Sequence, residues 1–200
     1  LPYGIPYFAY VGIAAVGQDW MSSEINYILK IIIVPALLWW AWKWYTPITG
    51  PRSNMGSILW GIGFGILGLA AWLLLMAPFI ELSGEPWSGP AFILRLLAAS
   101  LIVPVFEEYF IRGYIFRAAY QWNENRKKPG GSMDLNDILD NKSIDEVEPG
   151  AWSVAAVAIS TIAFTAGHLM IEWPAAVAYS ILMSILWIVR KDLLSCMVAH

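Results

Sequence analysis

The sequence predicts an all-α protein, a polytopic bundle of six to seven transmembrane helices. Three observations predict it. The 200 residues are 58% hydrophobic and only 14% charged, with a mean hydropathy of +0.59, where a soluble domain carries about 25% charged residues. The apolar residues gather into runs close to the roughly 20 residues that a spanning helix needs. Lys and Arg collect in every second connection between those runs, as membrane topology requires. The net charge of −3 gives no reason to expect a nucleic-acid partner; the partner that composition implies is the lipid bilayer. One cysteine, Cys196, excludes an internal disulfide.

The first segment covers roughly 3–17. It has neither a basic start nor a small-residue cleavage site, so it is not read as a signal peptide. The second, roughly 25–45, and the third, roughly 55–80, complete an amino-terminal membrane region, 1–89. Within the third, "GIGFGILG" (61–68) superficially matches a dinucleotide fingerprint, but no strand precedes it. Gly61 and Gly65 are four apart on one helix face, which favours close helix packing instead. The fourth segment spans roughly 90–119, the fifth 152–171 and the sixth 174–189; a seventh begins at 192 behind Asp192, a good N-cap. Together these form a second region, 90–200, interrupted by a polar loop at 121–150. A short surface helix is expected near 133–140 within otherwise disordered flanks. Pro35, Pro78, Pro104 and Pro174 fall in or at the ends of segments, where neighbouring helices can satisfy the freed carbonyls.

Lys43 and Arg52 lie between segments two and three. Arg117, Arg126, Lys127 and Lys128 follow segment four, and Arg190 and Lys191 follow segment six. The connections "QDWMSSE", "ELSGEPWSGP" and "IEWP" contain neither Lys nor Arg. The amino end and the 121–150 loop are therefore expected in the cytoplasm. Trp20, Trp87 and Trp173 would mark the outer interface, and Trp44, Tyr45, Trp122, Trp152 and Trp187 the inner one.

Against this background "FEEYFIRGYIF" (106–116) stands out. Charges at membrane depth cost several kcal/mol unless paired or facing a wet cavity. Glu108 and Arg112 are spaced i,i+4 and can pair on one helix face. Glu107 is turned about 100° away and lacks that partner. Such a split lets one carboxylate act as a base while the other holds the architecture. "FTAGH" places His168 one turn after Phe164, and the second histidine of the chain, His200, lies in segment seven. At 1.5 Å per residue, Glu107 is roughly 18 Å, His168 roughly 24 Å and His200 roughly 12 Å from the inner ends of their segments. All three fall in mid-membrane, within about 12 Å of one another in depth. Two imidazoles and a glutamate (Glu107, His168, His200) also form a zinc-competent set. Cys196, four before His200, is read as apolar filler rather than a ligand.

"EEYFIR" (107–112), "FTAGH" (164–168) and the late His200 resemble the three motifs of the CAAX-processing and bacteriocin-processing intramembrane protease family: Glu-Glu-x-x-x-Arg, Phe-x-x-x-His and a final His with Asn or a similar residue four positions on. The match covers roughly 90–200, which would make that region the catalytic core. The long 121–150 insertion is similar to a CAAX-protease-related branch found in polysaccharide and protein-sorting gene neighbourhoods, which implies a bacterial plasma membrane. The resemblance implies hydrolysis of a peptide bond in a membrane-associated protein or peptide, of a prenylated or a sorting-related kind. It implies that Glu107 and His168 activate a water, that Glu108 assists or positions with Arg112 holding it, and that His200 stabilises the oxyanion or serves as a ligand. Metal-dependent and glutamate-dependent chemistry both fit these residue types. The run from 192 reaches only His200, so a continuation with Asn or another small hydrogen-bonding residue at position 204 is expected. Two other classes use the same features. A catalytically idle relative could bind membrane partners through the same fold. An ion-coupled transporter would relay protons through Glu and His, but segments four to seven do not echo one to three.

Overall fold

The computed structural model describes residues 1–17, 20–79, 87–128, 130–131, 134 and 143–200. Seven helical segments account for the described chain, and no strand occurs among the described residues. They are α1 (Ile5–Gly17), α2 (Ser23–Ala41), α3 (Asn54–Met76), α4 (Gly89–Arg126), α5 (Val154–Ala166), α6 (Trp173–Arg190) and α7 (Leu193–Ala199). The chain is an integral membrane protein: four stretches, those of α2, α3, α4 and α6, are long and apolar enough to cross a bilayer. Segment four differs most from expectation. It stays helical to Arg126, because "QWNEN" prolongs the helix beyond its apolar part. Of the expected surface helix at 133–140 only residue 134 lies within the described residues.

Helix starts follow their caps. The side chains of Ser22, Ser53, Ser88 and Ser153 each accept a hydrogen bond from the backbone N–H three residues on, satisfying one of the donors a helix start leaves open. Asp192 does the same for α7, accepting from Ser195 N at 2.7 Å. Lys191 closes α6 in the left-handed region (φ 61°), and this turn lets α7 begin two residues later.

The chain divides into two compact units, Leu1–Tyr45 with Glu81–Phe110, and Thr46–Ile80 with Ile111–His200. In the first, α1 packs on α2, and α2 on the first half of α4. Their core is aromatic: Tyr7 lies against Phe110 (4.7 Å between ring centroids), Tyr10 against Phe106 (5.0 Å), and Tyr45 stacks on Tyr109 (4.1 Å). Lys30, unremarked in the sequence, is buried in mid-α2. Its ammonium lies 4.6 and 4.7 Å from the ring centroids of Tyr10 and Tyr27, a cation–π cage that offsets its desolvation.

In the second unit α3 packs against α6 and α7, and α5 against α6 and the last part of α4. The glycine reading holds. A Cβ on Gly61 would come within 2.7 Å of Ser195 O, and one on Gly65 within 2.8 Å of Ala199 O. Only hydrogen at these positions lets α3 and α7 approach so closely. A buried polar knot fixes the start of α7. Ser57 donates to Asp192 Oδ2 (2.7 Å), and Arg190 donates to Ser57 Oγ (2.8 Å) and to Ser53 O (3.0 Å).

Candidate active site

Glu107 and Glu108 end the α-helical stretch Val103–Glu108 of α4, and a π-helical stretch, Tyr109–Phe116, follows at once. π-turns inside α-helices often mark functional positions. The sequence carries no period-3.6 signal that could have shown this one. The flanking residues Phe106, Tyr109 and Phe110 belong to the aromatic core of the first unit. Glu108 is fully buried and Glu107 half-buried, so the two carboxylates do occupy different environments.

The other predicted residues belong to the second unit. His168 is not inside a helix, as the sequence reading had it. α5 stops at Ala166, Gly167 is its C-cap, and His168 sits in the turn that follows. The thirteen residues of α5 rise about 20 Å, less than the roughly 30 Å of a hydrocarbon core. A helix of that length starting from an interfacial Trp152, as the sequence predicts, would place this turn within membrane depth. Non-helical backbone is tolerated there only where it is buried in protein or lines a cavity.

The turn determines how the imidazole is used. His168 Nδ1 lies 2.9 Å from the Phe164 carbonyl oxygen. A carbonyl oxygen only accepts, so Nδ1 carries the proton and donates, and Nε2 keeps the lone pair that a base needs. The Phe164 ring lies 4.6 Å from the imidazole, which bears out the one-turn spacing read from "FTAGH".

His168 and His200 line one cavity of about 220 Å³, with Phe164, Tyr179, Trp72 and the bare backbone of Gly65 and Gly68. His200 lies 5.8 Å from the Tyr179 ring and 6.3 Å from that of Phe164, centroid to centroid. The Tyr179 hydroxyl donates to Ala199 O at 3.0 Å, tying α6 to the residue before His200. Trp72 closes the other side, 5.6 Å from His168. Tyr179 and Trp72 went unnoticed in the sequence. The signal was available, since Trp72 follows Gly68 by one turn and Tyr179 lies on the small-residue face of Ala175, Ala176 and Ser180.

Arg112 is fully buried and donates to Ser180 O (3.2 Å) and Ser180 Oγ (3.3 Å), with its guanidinium 5.4 Å from the Phe164 ring centroid. It thus bears on the residue whose carbonyl orients His168. Cys196 is fully buried with its thiol toward Met183 O (3.9 Å), which suits filler. Among the described residues no three His, Cys, Asp or Glu side chains gather into a set able to hold a metal ion. The two imidazoles of the cavity fall short of the three protein ligands usual for catalytic zinc.

The arrangement of the second unit offers a base nitrogen, a second imidazole and a small, largely aromatic chamber. Against known proteins, the model of the Rce1-like type II CAAX prenyl endopeptidase family matches residues 89–200, more than half of the chain. No curated protein and no solved structure matches.

Proposed function

The chain belongs to the Rce1-like type II CAAX prenyl endopeptidase family, and from that premise we propose that it hydrolyses a peptide bond of a membrane-associated protein, prenylated or otherwise held at the bilayer, with a water activated by Glu107 and His168. Amide hydrolysis needs a base for the water and a stabiliser for the oxyanion. Glu107 takes the water's proton, with Nε2 of His168 as its partner. Glu108 supports Glu107, and His200 donates to the developing oxyanion. Arg112 and Phe164 are positioning residues. The observation that most supports this reading is the His168 turn: the carbonyl of Phe164 holds the proton on Nδ1 and leaves Nε2 basic in a cavity shared with His200. The proposal places the amino end and residues 121–150 in the cytoplasm of a bacterial plasma membrane.

Purified protein and a membrane-anchored reporter peptide test it. Glu107→Gln and His168→Ala should each lower the cleavage rate by about 10²–10⁴-fold, the usual worth of a general base, while insertion and expression stay normal. A reporter cleaved equally well by either variant removes that residue from the chemistry. A wild type with no activity on any anchored substrate favours the idle relative. Cleavage lost to a chelator and restored by zinc would overturn the metal-free reading.

A further inference from the structure

A second concavity lies on the last third of α4, apart from the histidine chamber. It is a groove of about 260 Å³ lined by Tyr114, Ile115, Ala118, Ala119 and Trp122, with Ile159 of α5 as its far wall. Almost all of its lining is apolar. Along α4 it runs eight residues, about 12 Å. At its end the surface changes character. Arg126, Lys127 and Lys128 follow within two turns of Trp122, and all three are exposed. Arg126 lies over the Trp122 ring, 4.8 Å from its centroid. Lys127 is engaged with Glu124 (2.6 Å). Neither Arg126 nor Lys128 forms an ion pair among the described residues, although Lys128 lies within electrostatic reach of Glu124.

An apolar slot that ends in a tryptophan and then in exposed cations matches the polarity of a phospholipid. Tryptophan marks the headgroup level of a bilayer, and basic residues directly beyond a spanning helix attract anionic headgroups. Close helix-packing faces are enriched in small residues, whereas Tyr114, Ile115, Trp122 and Ile159 wall this groove. We propose that this groove is a binding site for one anionic phospholipid, with an acyl chain along Tyr114–Trp122 and Ile159 and the phosphate against Arg126 and Lys128.

Thermal unfolding of the purified full chain in neutral detergent tests the site, titrated separately with phosphatidylglycerol, phosphatidylcholine, glycerol phosphate and farnesol. Phosphatidylglycerol should raise the midpoint saturably. Phosphatidylcholine should bind at least about fivefold more weakly, the share of one basic contact near a membrane surface. Glycerol phosphate alone and farnesol alone should do nothing, since one lacks the chain and the other the charge. Arg126→Gln/Lys128→Gln, both on the surface, should abolish the preference for phosphatidylglycerol and leave reporter cleavage in neutral lipid unchanged. Ile159→Trp should weaken both phospholipids by filling the slot. Equal binding of the two phospholipids, or a preference that survives the double variant, overturns the proposal. Binding of farnesol that Ile159→Trp removes would make the groove an isoprenoid site instead.

Discussion

Arg112 shows how much of the site rests on one side chain. Its guanidinium is buried, spends donors on Ser180, and faces the ring of Phe164. Lys keeps the charge but not the planar fork, so the two are not equivalent here. Arg112→Lys should therefore fold yet lose much of its activity. Arg112→Ala should lose about 3–5 kcal/mol of stability through a stranded charge network and an empty volume. Expression and thermal unfolding in detergent separate the two; an alanine variant as stable as wild type would remove the structural role. At this scale the sequence was informative about identity but not about setting. "EEYFIR" and "FTAGH" drew attention to Glu107, Glu108, Arg112, Phe164 and His168 because charge and imidazole are costly in apolar runs. The contact of Arg112 with Ser180 could not be read, since Ser180 is 68 residues away and looks like an ordinary small residue in a helix.

Among the helices, α3 makes the sharpest contrast. Gly61 and Gly65 meet the backbone of α7 at distances where no Cβ fits, while Gly63, two residues from each, has open space around it. Gly65→Leu should then destabilise by about 1–3 kcal/mol, as overpacking does, and should displace His200 along with α7. Gly63→Ala should be neutral or slightly stabilising, because alanine is the better helix former by about 1 kcal/mol. Paired unfolding curves of the two variants check this, and equal effects would mean that α3 and α7 do not pack on the glycine face. Helix existence was legible throughout, because five of the seven segments were expected within a few residues of where they lie. The end of α5 was not. An apolar run through 171 gives no hint that the helix stops at Ala166, since the stop depends on a Gly167 C-cap and on an imidazole that bonds back to the Phe164 carbonyl. The π-helical stretches of α4, Ala98–Ile102 and Tyr109–Phe116, were equally hidden, as insertion of one residue into a turn leaves no mark on composition.

For the whole chain, the alternation of Lys and Arg predicts that the polar stretch after α4 faces the cytoplasm. A cysteine placed at Lys128, with Cys196 replaced by Ala, should react with an impermeant maleimide only after cells are opened; labelling of intact cells would reverse the topology. The shortness of α5 has a wider consequence. With α1 it is one of two thirteen-residue apolar helices beside much longer ones. A hydrophobic length well below that of the surrounding lipid draws the bilayer thin at that place. A thinned bilayer also admits water, the co-substrate of any hydrolase and the reagent that hydrocarbon excludes. The protein would then fetch its second substrate by deforming its solvent rather than by opening a pore through itself. Reporter cleavage should consequently slow in vesicles of long-chain lipid and recover in short-chain lipid, at equal folded protein; a rate indifferent to chain length would mean that water arrives by another route.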